Sequence, residues 1–151
     1  MPEDPSGVEP PGLVLAFDFG RRRIGVACGD TLSRSASPLT AITAGPQGPQ
    51  WSAIDALIAE WRPTRAVVGL PYNVDDSQSP MAVAAREFAA MLESRYRLPV
   101  NLVDERYSSL EAAARLRAAR QAGLRRRRVG KADVDAAAAC VILERWFTTR
   151  T

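Results

Sequence analysis

Two strand-like stretches of this chain end in acid: Leu13-Val-Leu-Ala-Phe-Asp18, and Leu98-Pro-Val-Asn-Leu-Val-Asp104-Glu105. A third acid, Asp135, opens an Ala-rich apolar segment near the C-terminus. An ionised carboxylate next to an interior strand is costly unless a cation or strong hydrogen bonds compensate it. The chain has no histidine, so a divalent cation held by carboxylate oxygens is the simplest compensation. Hydrolysis of a phosphodiester assisted by two metal ions needs this donor type, because Mg²⁺ and similar hard ions prefer oxygen ligands and keep some of their waters. Asp18, Glu105 and Asp135 form the candidate set.

Each acid also has a plainer reading. Asp135 could complement the positive end of its helix dipole. One of Asp104 and Glu105 could be a surface carboxylate paired with Arg106. Period-two alternation sends these two to opposite faces, so the strand delivers at most one of them to a site. Asp133 is the weaker member of its pair with Asp135, which the apolar helix face follows more directly. Asp18 is the hardest to explain structurally, since Val14 and Ala16 share its face.

Positioning these acids requires a sheet. Leu13 to Phe19 reads as a strand, Gly20 to Arg23 as a turn and Ile24 to Gly29 as the return strand of a hairpin. Ala36 to Thr43 adds a third strand, and Ala44 to Gln50, rich in Gly and Pro, breaks the pattern. Trp51, Ile54, Leu57, Ile58 and Trp61 recur at helical spacing until Pro63. Arg65 to Pro71 is a short β-branched run, followed by a polar loop over 72–78. Ser79-Pro80 has the form of an N-cap with Pro at the first helical position, opening a helix to about Tyr96. After the strand ending at Asp104, Ser108-Ser-Leu-Glu111 matches a capping box. A basic loop, Gln121 to Arg128, precedes a last helix from about Val134, whose Ala137, Ala138, Val141, Ile142 and Trp146 are expected to turn inward.

This order predicts an α/β fold: a mixed five-stranded sheet, a three-stranded meander plus two parallel strands reached by right-handed crossovers, flanked by helices. Ligands of such sheets sit outside the carboxyl ends of the parallel strands, where Asp18 and the Asp104-Glu105 pair should converge. Gly20-Arg-Arg-Arg-Ile-Gly25 lies beside Asp18. Its glycines would let backbone approach a phosphate, and Arg22 could grip one, although ordinary hairpin chemistry explains the same residues. Asn73 and Asp75 fall at the same sheet end as substrate or metal contacts, with a turn role equally available.

With 151 residues, 46% hydrophobic and 25% charged, the chain fits one domain with a real core. Residues 1–12 read as a flexible tail without the features of a secretory signal, and 13–151 as the domain. No apolar run is long enough for a bilayer span. Cys28 and Cys140 suit buried thiols of a reducing cytosol, so the expected location is the cytoplasm. The net charge of +3 is modest, but arginine is clustered at 21–23 and 125–128, consistent with phosphate contacts. Coding bias toward Arg and Ala is the plainer account.

Taken together, Asp18-Phe-Gly-Arg-Arg-Arg-Ile-Gly25, Val68-Gly-Leu-Pro-Tyr-Asn73, Asp104-Glu-Arg-Tyr-Ser-Ser109 and Val134-Asp135 with its Ala-rich helix resemble the YqgF family, also called RuvX, over about residues 13–147. The resemblance implies a ribonuclease H-like fold, with Asp18, Glu105 and Asp135 on the acidic metal positions and Mg²⁺ or Mn²⁺ as cofactor. It adds Arg106 and Lys131 to Arg22 and Asn73 as candidate substrate contacts. The loop after Asn73 departs from the family's usual Asp-Gly step, with Asp76 and Ser77 following Asp75. The implied activity is that of an endonuclease. Its expected substrate is the 5′ end of precursor 16S ribosomal RNA, and the alternative is a four-way DNA junction, which favours a two-fold dimer. Monomer and homodimer both stay open. Readings of another class are a catalytically silent RNA-binding ribosome-assembly factor and a nucleotide-binding ATPase, the latter short of the second domain it would need.

Overall fold

A computed structural model describes residues 12–70, 79–104, 114 and 130–149. Its centre is a six-stranded sheet in the order β4-β3-β2-β1-β5-β6. The strands are β1 (Leu13–Asp18), β2 (Arg23–Asp30), β3 (Ser35–Gly45), β4 (Gly48–Pro49), β5 (Arg65–Leu70) and β6 (Val100–Asp104). The helices are α1 (Trp51–Trp61), α2 (Pro80–Tyr96) and α3 (Lys131–Thr149). β1, β2 and β3 form the antiparallel meander, while β5 pairs parallel to β1 and β6 parallel to β5.

The expected five strands are therefore six. β3 runs two residues past Thr43, and Ala44 and Gly45 pair with Pro49 and Gly48 in a short hairpin. Proline and glycine, which argued for a break at 44–50, are tolerated there because β4 is an edge strand. A β-bulge between Val26 and Ala27 shifts the β2–β3 register along the same edge.

Alternation along the strands sorts side chains into two layers. Leu15, Phe17, Ile24, Val26, Ala66 and Val68 face α1 and α2. Val14, Ala16, Ala27 and Val67 face α3, which contributes Ala139, Ile142, Leu143, Trp146 and Phe147. Phe88 of α2 is the hub of the first layer, with ring centroids 5.7 Å from Phe17, 5.0 Å from Phe19 and 5.8 Å from Trp51. Each such ring pair adds about 0.5–1.5 kcal/mol beyond burial. The two cysteines sit in opposite layers, so the sheet separates them and both are free thiols.

Helix ends follow the local chemistry. Ser79 caps α2 by accepting the N–H of Ala82 at 3.1 Å, with Pro80 at the first position. α1 stops at Arg62 in the left-handed region, φ 46°, whose N–H reaches the carbonyl of Ile58. α3 starts at Lys131, three residues before the expected Val134, because Asp133 returns its carboxylate to the N–H of Gly130 at 3.0 Å. All five residues expected to turn inward are buried, Ile142 and Trp146 in the layer against the sheet and Ala137, Ala138 and Val141 as a separate cluster. The expected helix after Ser108 and the basic loop at 121–128 lie outside the described residues, apart from Ala114, which is helical and exposed.

Candidate active site

Asp18 is the last residue of β1 and stands directly across the ladder from Gly25 of β2. Cross-strand partners share a face, and Val14 and Ala16 place that face under α3. Gly25 is where the helix meets the sheet: a Cβ added to it would lie 1.9 Å from the carbonyl oxygen of Asp135 and 2.3 Å from its carbonyl carbon. Only glycine admits so close an approach. Asp18 and Asp135 thus flank one small residue, though 117 positions separate them in the sequence. The expectation that Gly25 exists to admit a phosphate gives way to this contact, in which its missing side chain is filled by the backbone of α3.

The Asp135 carboxylate already engages a cation. Arg23 Nε donates to Asp135 Oδ2 at 2.5 Å, with the Arg side chain 40% and the Asp side chain 23% exposed. Helix-dipole complementation is therefore not the sole role of Asp135, and the first-turn acid that caps α3 is Asp133. Arg23 is the residue that sequence reading overlooked in favour of Arg22. The signal was available: Arg23, Gly25, Ala27 and Gly29 alternate onto the α3 face once β2 begins at Arg23. Arg22 lies in the exposed turn before the strand, its carbonyl accepting the N–H of Ala44 at 2.8 Å.

At the other side of β1, the carboxyl ends of β5 and β6 lie at the same edge, with Leu70 opposite Asp104. Val103 packs in the α3 layer, so Asp104 takes the other face and is exposed, its carbonyl receiving Arg145 Nη1 at 3.1 Å. Asp104 does not join Asp18 and Asp135. Glu105, Asn73 and Arg106 lie outside the described residues, as does the side chain of Lys131, the first residue of α3. Among the described residues, no group of three acids, histidines or cysteines gathers to hold a metal. What they bring together is two carboxylates and one guanidinium.

The RuvX family model, described as "Holliday junction resolvase", matches residues 12–149. The chain belongs to the RuvX family. A protein of Legionella pneumophila (strain Paris) named "Putative pre-16S rRNA nuclease" is 49% identical to it over 138 residues, 91% of this chain and 96% of the relative. A relative of the same name from Xanthomonas oryzae pv. oryzae (strain PXO99A) is 48% identical over 147 residues, covering 97% of this chain and 94% of that protein. Among solved structures, "T. thermophilus RuvC in complex with Holliday junction substrate" aligns with a TM-score of 0.54 at 16% identity, covering 91% of this chain and 94% of that one. At this identity the likeness establishes the fold, which is the RuvC-like, ribonuclease H-like one that the sequence implied. No described helix of this RuvX chain is long and apolar enough to cross a membrane.

Proposed function

We propose that this RuvX chain is a divalent-metal-dependent endonuclease that hydrolyses phosphodiester bonds of structured RNA, in maturation of the 5′ end of precursor 16S rRNA in the cytoplasm. The observation that carries the reading is the convergence of Asp18 and Asp135 on Gly25, in a family whose relatives bear nuclease names. Glu105 is the third acid of the proposed set. The choice over Asp104 rests on alternation, since Asp104 faces away from the α3 layer.

The donors fit a hard ion. They are carboxylate oxygens in a chain without histidine, and one already holds a cation, the Arg23 guanidinium. Such oxygen-only sets suit Mg²⁺ or Mn²⁺. When bound, the ion supplies Lewis acidity, lowering the pKa of the attacking water and stabilising charge on the leaving oxygen. Asp18, rooted in the sheet opposite Gly25, and Asp135, rooted in α3 whose backbone packs on Gly25, are the two proposed ligands that the described residues bring near one another. Arg23 neutralises Asp135 and is half free to turn its remaining N–H groups toward a phosphate. Lys131, Asn73, Arg106 and Arg22 are the proposed substrate contacts.

The family description and the RuvC fold favour one second reading, resolution of four-way DNA. Purified protein and Asp18→Asn, incubated with precursor rRNA and with junction DNA, with and without Mn²⁺ or Mg²⁺, separate the cases. Metal-dependent cleavage of the rRNA alone, lost in the variant, is expected. Junction cleavage instead would replace the substrate, and tight RNA binding with no cleavage under any metal would replace the enzyme by an assembly factor.

A further inference from the structure

On the face of the sheet opposite Asp135, the β1–β2 turn, the β3–β4 hairpin and the second turn of α2 enclose a cleft of about 540 Å³. Its apolar surfaces come from Phe19, Pro46, Pro49 and Ala84, and its charge from Arg21 and Arg22. No acid lines it. The volume falls within the 300–1,000 Å³ of small-molecule sites, which suits one nucleotide rather than a helix.

The two arginines differ from most described others in what they touch. Arg23 pairs with Asp135, Arg34 donates to the Phe147 carbonyl, Arg65 to Asn101, Arg95 to Asp55 and Arg145 to the Asp104 carbonyl. Arg21 and Arg22 are exposed and meet no carboxylate among the described residues. The main chain beneath them is nonetheless fixed, through the Ala44 N–H to the Arg22 carbonyl. Phe19 is held by Phe88 at 5.0 Å and follows Asp18 directly in the chain. The cleft therefore opens at the same sheet end as Asp18, on the other face of the sheet.

We propose that this cleft receives an unpaired nucleotide of the substrate strand, with the flanking phosphates on Arg21 and Arg22 and the base against the Phe19, Pro46 and Pro49 surfaces. The proposal rests on the nuclease reading above and adds a requirement to it: the strand next to the cut must be unpaired. Flat apolar surfaces beside a basic groove are how proteins hold single strands, since every base offers a face to stack and every linkage a charge. A continuous duplex presents neither a free base face nor a single strand narrow enough to enter.

The test measures binding without divalent metal, so that cleavage plays no part. The full chain is titrated into a labelled single-stranded oligoribonucleotide, its deoxy counterpart and a blunt duplex of equal length. The variants are the double change Arg21→Ala with Arg22→Ala, and Ala84→Trp, which fills the cleft and leaves both charges. Each variant's fold is checked by its unfolding curve. Single-strand binding weakened at least about tenfold in both, with a clearly smaller loss for the duplex, is expected. In the double variant the salt slope should also fall by about 1.4, at 0.7 per phosphate contact. Retention by RNA alone or by both single strands names the sugar that the cleft accepts. Single-strand binding at native strength in either variant, equal loss for duplex, or no single-strand binding by the native chain would overturn the proposal. Metal-dependent cleavage by the native protein is scored separately: its absence alongside cleft-dependent binding defeats the nuclease reading and leaves the cleft as a strand-binding site.

Discussion

The residues at the site impose separable demands. Asp18→Asn keeps shape and hydrogen-bonding capacity but removes the charge, so cleavage should fall by at least about 100-fold, the scale of losing one electrostatic stabiliser. Its unfolding midpoint should stay near the native value; a fully active variant would remove Asp18 from the chemistry. Gly25 answers to packing instead. Gly25→Ala places a methyl group into the Asp135 carbonyl, and overpacking of this kind costs about 1–3 kcal/mol or more as α3 is pushed from β2. Chemical denaturation would measure it, and an undiminished midpoint would mean that the helix approaches less closely. Arg22 and Arg23 show what a run of like residues conceals: three adjacent arginines are equivalent in composition, and the first pleat of β2 alone decides which one meets Asp135.

Elements are pinned where their ends meet polar groups. Ser79 supplies the only side-chain cap of α2 described at its first turn, so Ser79→Ala should cost about 1 kcal/mol, with Ser79→Asp restoring most of it. The other end of α2 is tied to α1 by Arg95 and Tyr96, both bonded to Asp55, Tyr96 through its hydroxyl at 2.6 Å. The Arg95 hydrogen bond, and then that from Tyr96, hold the Asp55 carboxyl below the usual carboxylate range. Burial, and then the bond to Asp55, push the Tyr96 phenol up to about 12. The signs follow from linkage. A lowered acid stabilises the fold above its unfolded pKa, and that contribution fades as pH falls through the folded value. A raised phenol stabilises below its ordinary 10, and that contribution fades as pH rises from 10 toward 12. Phenolate absorbance should therefore place Tyr96 as a late-titrating tyrosine, and Asp55→Asn should flatten the acid limb of the stability profile. A Tyr96 that ionises at its ordinary value would dissolve the link.

For the whole molecule, two hydrophobic layers share one sheet and the proposed metal site lies at the seam between the sheet and α3. An ion that binds only the folded chain must stabilise it, by about 2.7 kcal/mol at a hundred times its Kd. Thermal unfolding with Mn²⁺ or Mg²⁺ against chelator should show this shift in the native protein and lose it when Asp18→Asn and Asp135→Asn are combined. An identical midpoint with and without metal in the native protein would leave the two carboxylates without the proposed role.

The chain's own pattern was enough to order the elements. β1, β2, β5, α1 and α2 are legible because alternation, helical spacing, Ser79-Pro80 and Pro63 are local signals carried by adjacent residues. The candidates Asp18 and Asp135 were legible for the same reason, as acids at the ends of apolar runs. The short hairpin of β3 with β4 was not, since Gly and Pro there reflect an edge position that exists only once neighbouring strands have been placed. Nor was the Arg23–Asp135 pair, or the use of Gly25 as the seat of α3. Both join residues more than a hundred positions apart, and a contact of that kind is set by how close two backbones come when helix and sheet pack, a distance that no stretch of sequence carries by itself.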